Sequence, residues 1–127
     1  MTTERTYDVV ILGATGYTGR QAVRAMRRQG KDVRWAVAGR NVAAMQALVG
    51  ESARRGVRKP GVLLADTTDA GSLATLASQT KVLLNLAGPY ALTGEAVIEA
   101  CIAHRTHCLD LSGETFWVRQ MIERHHD

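Results

Sequence analysis

The feature that most constrains this chain is the run Gly13-Ala14-Thr15-Gly16-Tyr17-Thr18-Gly19-Arg20, directly behind the apolar stretch Val9-Val10-Ile11-Leu12. A continuously apolar run of this length reads as a strand covered on both faces. Behind the glycines, Ala22, Val23 and Met26 fall on one side of a helical pattern. Arg20, Arg24, Arg27 and Lys31 fall on another, and Gly30 reads as the helix stop. Glycines three apart between a strand and a helix have a physical use. Gly13 permits a tight exit from the strand, Gly16 lets the backbone approach a phosphate, and Gly19 lets the helix pack closely on the sheet. The alternative is a ligand-free surface turn, which the register of strand, helix and next strand argues against. The spacing is GxxGxxG and departs from GxGxxG by one residue, which is compatible with the same role.

The alternation continues along the chain. Strands are expected at 33–38, 61–65, 81–86 and 107–111, with helices at 42–55, 69–77 and 92–104 and a last one from about Glu114. Strands that alternate with crossover helices imply a parallel sheet covered on both faces. The expected fold is α/β: a Rossmann-type doubly wound sheet of five strands in order 3-2-1-4-5, occupying residues 1–127 as one domain without a sixth strand.

Apolar residues make up 46% and charged residues 22%, with two prolines, which excludes a disordered or fibrous chain. Glu4 and Asp8 sit where a signal peptide would be basic, and no apolar run approaches the ~20 residues of a membrane span, so a cytoplasmic location is expected. Cys101 and Cys108 match neither a redox nor a zinc spacing and read as free thiols. Eleven of the sixteen lysines and arginines lie in residues 20–59, against two of the twelve acids. That local positive charge suits a phosphate-rich ligand. No aromatics interleave with the basic residues, so a nucleic-acid partner is not expected.

In such a sheet, ligands bind at the carboxyl ends of the strands where the strand order reverses, and the first helix aims its free N–H groups and positive dipole end at phosphates. The second strand ends Ala38-Gly39-Arg40-Asn41 with no acid to take the ribose hydroxyls, and a guanidinium at Arg40 can grip a 2'-phosphate. NADP(H) is therefore expected over NAD(H). Arg40 could instead be a plain surface charge, Asn41 a helix N-cap, and Asp66 either an adenine contact or a turn cap. The stretch Leu86-Ala87-Gly88-Pro89-Tyr90 offers small residues against the cofactor ribose and a Pro that sets the course of the loop.

No catalytic residue emerges. Tyr7, Tyr17 and Tyr90 are followed four residues later by Ile11, Gln21 and Gly94, which excludes a Tyr–Lys pair. Ser112 and Glu114 could serve in polar catalysis but read more simply as the start of a helix. His104 and His107 lack further ligands at zinc spacing, so no metal site is expected; His125 and His126 read as a frayed helix end. Trp35 and Trp117 read as core or interface residues.

GATGYTG, AGRN, NLAGPYALTGEAVIEAC and LDLSGE together resemble the N-terminal half of saccharopine dehydrogenase-like oxidoreductases. They look closest to the actinobacterial branch that includes the trans-acting enoyl reductases of lipid and polyketide assembly. The resemblance implies dinucleotide contacts at Gly13, Thr15, Gly16, Tyr17, Thr18, Arg40 and Asn41, and places Gly88, Pro89 and Tyr90 near the nicotinamide. It also puts Ser112, Gly113 and Glu114 at the mouth of the crevice. Family members are several times longer and carry a substrate domain that is absent here, so the expectation is a fragment with little turnover alone. The competing expectation is a non-catalytic NADP(H)-sensing or interaction module. An uncovered fifth strand is expected to drive self-association.

Overall fold

A computed structural model describes residues 4–29, 32–50 and 59–126. The elements run β1 (Tyr7–Leu12), α1 (Tyr17–Gln29), β2 (Trp35–Gly39), α2 (Val42–Gly50), β3 (Gly61–Leu64), α3 (Ala70–Ser78), β4 (Thr80–Asn85), α4 (Tyr90–Ala103), β5 (His107–Asp110) and α5 (Thr115–His125). The five strands are all parallel, in the order β3-β2-β1-β4-β5. This is the Rossmann-type arrangement that the alternation implies. The Gly30 stop, Lys31 and the 51–55 part of the second expected helix lie outside the described residues.

Strand periodicity sorts the core into two layers. Val10, Leu12, Ala36, Ala38 and Leu83 pack with Leu73, Leu76, Val97 and Cys101 of α3 and α4 on one face. Ile11, Trp35 and Val37 pack with Val23, Met45 and Val49 of α1 and α2 on the other. Val10, Ile11 and Leu12 are all almost fully buried because β1 lies at the centre of the sheet, which is why its sequence is continuously apolar.

The lower, amino-terminal end of the sheet is pinned by charge. Asp8 accepts from the backbone N–H of Arg34 (3.0 Å) and pairs with its guanidinium (3.1 Å) and with Lys81 (3.1 Å). These bonds occupy Arg34, so β2 begins at Trp35 and not at residue 33 as expected. Arg5 donates from its guanidinium to the carbonyls of Ala77, Thr80 and His104, tying together the ends of α3 and α4 and the start of β4.

Two thiols and one histidine complete the layer around α4. Cys101 and Cys108 are free, as expected, and share a hydrogen bond that together with burial keeps the Cys101 thiol protonated. His125 is not a frayed end: its Nε2 lies 3.0 Å from Glu95, which also accepts from Arg124 at 2.7 Å, so α5 is held on α4 to its last residue. Trp117 of α5 fits against Gly94 of α4, where an added Cβ would come within 2.5 Å of the indole.

The Arg34 hydrogen bonds, then its backbone N–H and the Lys81 bond, hold the Asp8 carboxyl well below the ordinary carboxylate range. A depressed folded-state pKa adds stability above the unfolded pKa, and that stability is lost as pH falls through the folded value. Asp8→Asn is therefore expected to lower the melting temperature at pH 7. The deficit should persist down to about pH 4 and shrink below it. Thermal unfolding of both proteins across that range checks this.

Candidate functional site

The glycine run closes the carboxyl end of the sheet. Gly13 adopts φ +84°, donates to Ala38 O (3.0 Å) and accepts from Gly16 N (3.2 Å). A Cβ there would lie 2.7 Å from Ala87 N and 2.8 Å from the Leu86 carbonyl carbon. The turn after β1 and the turn after β4 thus touch backbone to backbone, and only glycine fits. At Gly19 an added Cβ would collide with the Gly13 carbonyl oxygen and come within 2.6 Å of Ala14 Cα, so α1 starts hard against its own loop. Gly16 differs: its Cβ would meet only Gly13 O at 3.5 Å, leaving this backbone open to a ligand. Thr15, Gly16, Tyr17 and Thr18 are all exposed, Tyr17 at 78%.

Five helices start at this end of the sheet, and their first turns are treated differently: α5, like α1, has no side-chain cap bond, and α2, α3 and α4 are capped. Asn41 Oδ1 accepts from Ala44 N at the start of α2 (3.0 Å), which makes Asn41 a helix cap whatever else it does. Asp69 accepts from Gly71 N and Ser72 N at the start of α3. Glu114 accepts from Tyr90 N (2.9 Å) and Ala91 N (3.1 Å) at the start of α4. In α1 no acidic residue lies in the first turn, and no side chain among the described residues takes its N–H groups. By helix geometry Tyr17, Thr18 and Gly19 lack carbonyl partners one turn back within the helix. The positive end of α1 is therefore open where the glycine loop exposes its backbone.

On the far side of the glycine loop, Arg40 and Asn41 are exposed just beyond β2. A cleft of about 360 Å³ between α1 and α2 is lined by Thr15, Arg20, Arg24, Ala44, Ala47 and Leu48. The helix arginines expected on a solvated face thus border a concave site. Asp66 accepts from Thr68 N (2.9 Å) and Thr68 Oγ1 (2.7 Å); these bonds, with a smaller contribution from Arg40, lower its pKa. The turn-cap alternative for Asp66 is present in the structure.

On the near side, α4 begins at Tyr90 and not at residue 92, with Pro89 as its N-cap position and a cis Gly88–Pro89 bond before it. Ala87 N donates to the buried Asn85 side chain (3.0 Å), and Tyr90 OH donates to Asn85 O (2.9 Å). Leu111 N donates to the same hydroxyl (3.3 Å), and the Tyr90 ring stacks on Trp117 with centroids 5.5 Å apart. Tyr90 is therefore a wedge between β4, β5 and α5. Gly88 is exposed, with nothing within 4 Å of an added Cβ. Glu114 occupies the start of α5, as expected, but its carboxylate caps α4 and makes no cap bond to α5. Sequence reading could not find that link, because the partners stand 24 positions apart in the chain.

The group of possible metal ligands among the described residues is Glu95, Glu99 and His125, away from His104 and His107, and Glu95 is already paired with Arg124 and His125.

The steric pattern separates the glycines experimentally. Gly13→Ala is expected to cost on the order of 2–3 kcal/mol through left-handed strain and backbone collision. Gly16→Ala is expected to stay within about 1 kcal/mol of wild type. Urea unfolding of each variant measures the difference.

In comparison with known proteins, residues 9–127 match the family model described as saccharopine dehydrogenase NADP binding domain. A saccharopine dehydrogenase-like oxidoreductase of Mus musculus is 33% identical over 137 residues, covering 99% of this chain and 32% of that protein. A Mycobacterium tuberculosis protein named as a candidate trans-acting enoyl reductase is 35% identical over 127 residues, covering 98% of this chain and 29% of that protein. In structure, saccharopine dehydrogenase (L-Glu forming) of Saccharomyces cerevisiae superposes with a TM-score of 0.73 at 23% identity, over 91% of this chain and 24% of that one. The chain thus spans about a third of the length of the curated relatives it matches.

Proposed function

This chain belongs to the saccharopine dehydrogenase NADP-binding domain family, and on that premise we propose that it binds NADP(H) in preference to NAD(H). It would do so as the cofactor domain of a reductase acting on a lipid or polyketide-type substrate. The observation that carries the cofactor reading is the open first turn of α1 behind the exposed backbone of Gly16, beside the capped starts of α2, α3 and α4.

In this reading the pyrophosphate lies over Gly13, Thr15, Gly16, Tyr17, Thr18 and Gly19, at the positive end of α1. Arg40 and Asn41 meet the adenosine 2'-phosphate, with Asp66 at the adenine edge. The preference for NADP(H) is supported by the arginines here: Arg20, Arg24 and Arg40 have no ion-pair partner among the described residues. A doubly charged phosphate supplies the missing counter-charge, and an unphosphorylated ribose does not. Ala87, Gly88 and Pro89 border the nicotinamide ribose, where the open space over Gly88 leaves room for it.

When bound, the nicotinamide supplies the hydride chemistry. The chain's part is to hold and orient it. The substrate class is supported by the enoyl reductase name of one relative and by Leu92, Leu111 and Phe116, which follow β4 and β5 at the nicotinamide end and are 81%, 65% and 89% exposed. Substrate selection would then rest with the part of the longer relatives that this chain does not span. The exposed β5 edge, with Leu109 at 57%, supports self-association through strand pairing in a cytoplasmic protein.

Two measurements test these readings. Calorimetric titration is expected to give micromolar binding of NADPH and at least tenfold weaker binding of NADH, with Arg40→Ala erasing most of that difference. Equal affinities for both nucleotides would overturn the phosphate clamp. Light scattering is expected to return a dimer or larger species, and a monomer would remove the edge-pairing reading.

A further inference from the structure

We propose that Glu114 is the positioning residue for the nicotinamide half of the site, an inference that rests on the NADP(H) reading above. Two helices, α1 and α4, begin on either side of the contact between Gly13 and the Leu86–Ala87 backbone. Each helix start is a candidate anion site by the same physics. At α1 the N–H groups are open; at α4 both carboxylate oxygens of Glu114 are spent on Tyr90 N and Ala91 N.

Glu114 therefore does two things. It removes α4 as a competitor for the pyrophosphate, so the charged middle of the cofactor settles on α1. It also ties the start of α4 to the loop after β5, fixing the height of Gly88 and Pro89, over which the nicotinamide ribose must pass. The loop that carries Glu114 is itself fastened: Glu114 N donates to Ser112 Oγ (3.1 Å), and Ser112 N donates to Asp110 Oδ1 (3.1 Å). Tyr90 closes the frame through Asn85 O and Leu111 N. β2 and β3, over which the adenosine half would lie, stand on the other side of β1 from this frame.

The experiment compares NADPH with 2',5'-ADP, which carries the adenosine phosphates and no nicotinamide, on the wild-type chain, Glu114→Gln and Glu114→Ala. Circular dichroism first establishes that each variant is folded. Glu114→Ala is expected to weaken NADPH binding about tenfold while 2',5'-ADP changes less than about twofold. Glu114→Gln keeps an acceptor oxygen in place and should fall between the two. Equal losses for both ligands would assign Glu114 a purely structural role, and unchanged binding of both would remove it from the site; either overturns the inference alone. A wild-type chain that binds neither ligand would overturn the NADP(H) reading, and this inference with it. If Glu114→Ala does not fold, the same comparison on Glu114→Gln decides: a loss confined to NADPH supports the inference, and parallel changes contradict it.

Discussion

The carboxyl end of the sheet depends on one contact, the backbone of Gly13 against the backbone of Leu86 and Ala87. β1 and β4 are neighbours at the centre of the sheet, yet the chain leaves β1 for a helix on one face and β4 for a helix on the other. Strands that diverge in this way open a crevice between their loops. Its depth is set by how closely the two turns approach, and a residue with no Cβ and positive φ brings them together. Gly19 repeats the device one step on, pressing α1 onto the turn so that its first N–H groups stand at the lip of the crevice.

Electrostatics then separate the two sides of that crevice. The glycine-loop side carries Arg20, Arg24 and Arg40, which have no ion-pair partner among the described residues, and its helix start is open. The α4 side carries Glu114, Asp110 and the capped start of α4. A dinucleotide has a charged middle, a more charged adenosine end when phosphorylated, and a nearly neutral redox end. That distribution matches the order in which the strands present their ends. At the opposite end of the sheet, among the described residues, Asp8, Arg34, Lys81 and Arg5 are engaged with one another or with backbone carbonyls.

What could be read from the sequence was what repeats locally. The continuous apolar run of β1, the spacing of Gly13, Gly16 and Gly19 and the alternation of periods determine strand order, because each is a local consequence of burial or sterics. Asn41 as a helix cap and Asp66 as a turn cap were legible for the same reason: each acts within three residues of itself. Arg5, Glu114 and His125 were not, since their partners lie 99, 24 and 30 residues away and are brought near only by the finished sheet. Tyr90 was legible as part of a motif but not in its role. Its hydroxyl bridges the ends of two strands whose adjacency is a property of the topology. The early start of α4 has the same origin, because a carboxylate from another loop supplies the cap that Pro89 does not.

The central claim is that the open turn at α1 receives a phosphorylated dinucleotide. A chain of 127 residues suits amide-resolved nuclear magnetic resonance. Titration of the isotope-labelled protein with NADP+ is expected to shift the amides of residues 13–20, Arg40, Asp66 and 87–88, while those of Ser78, Thr80 and Thr106 at the opposite end stay in place. Unmoved amides in the glycine loop, or shifts confined to the β5 edge, would contradict it.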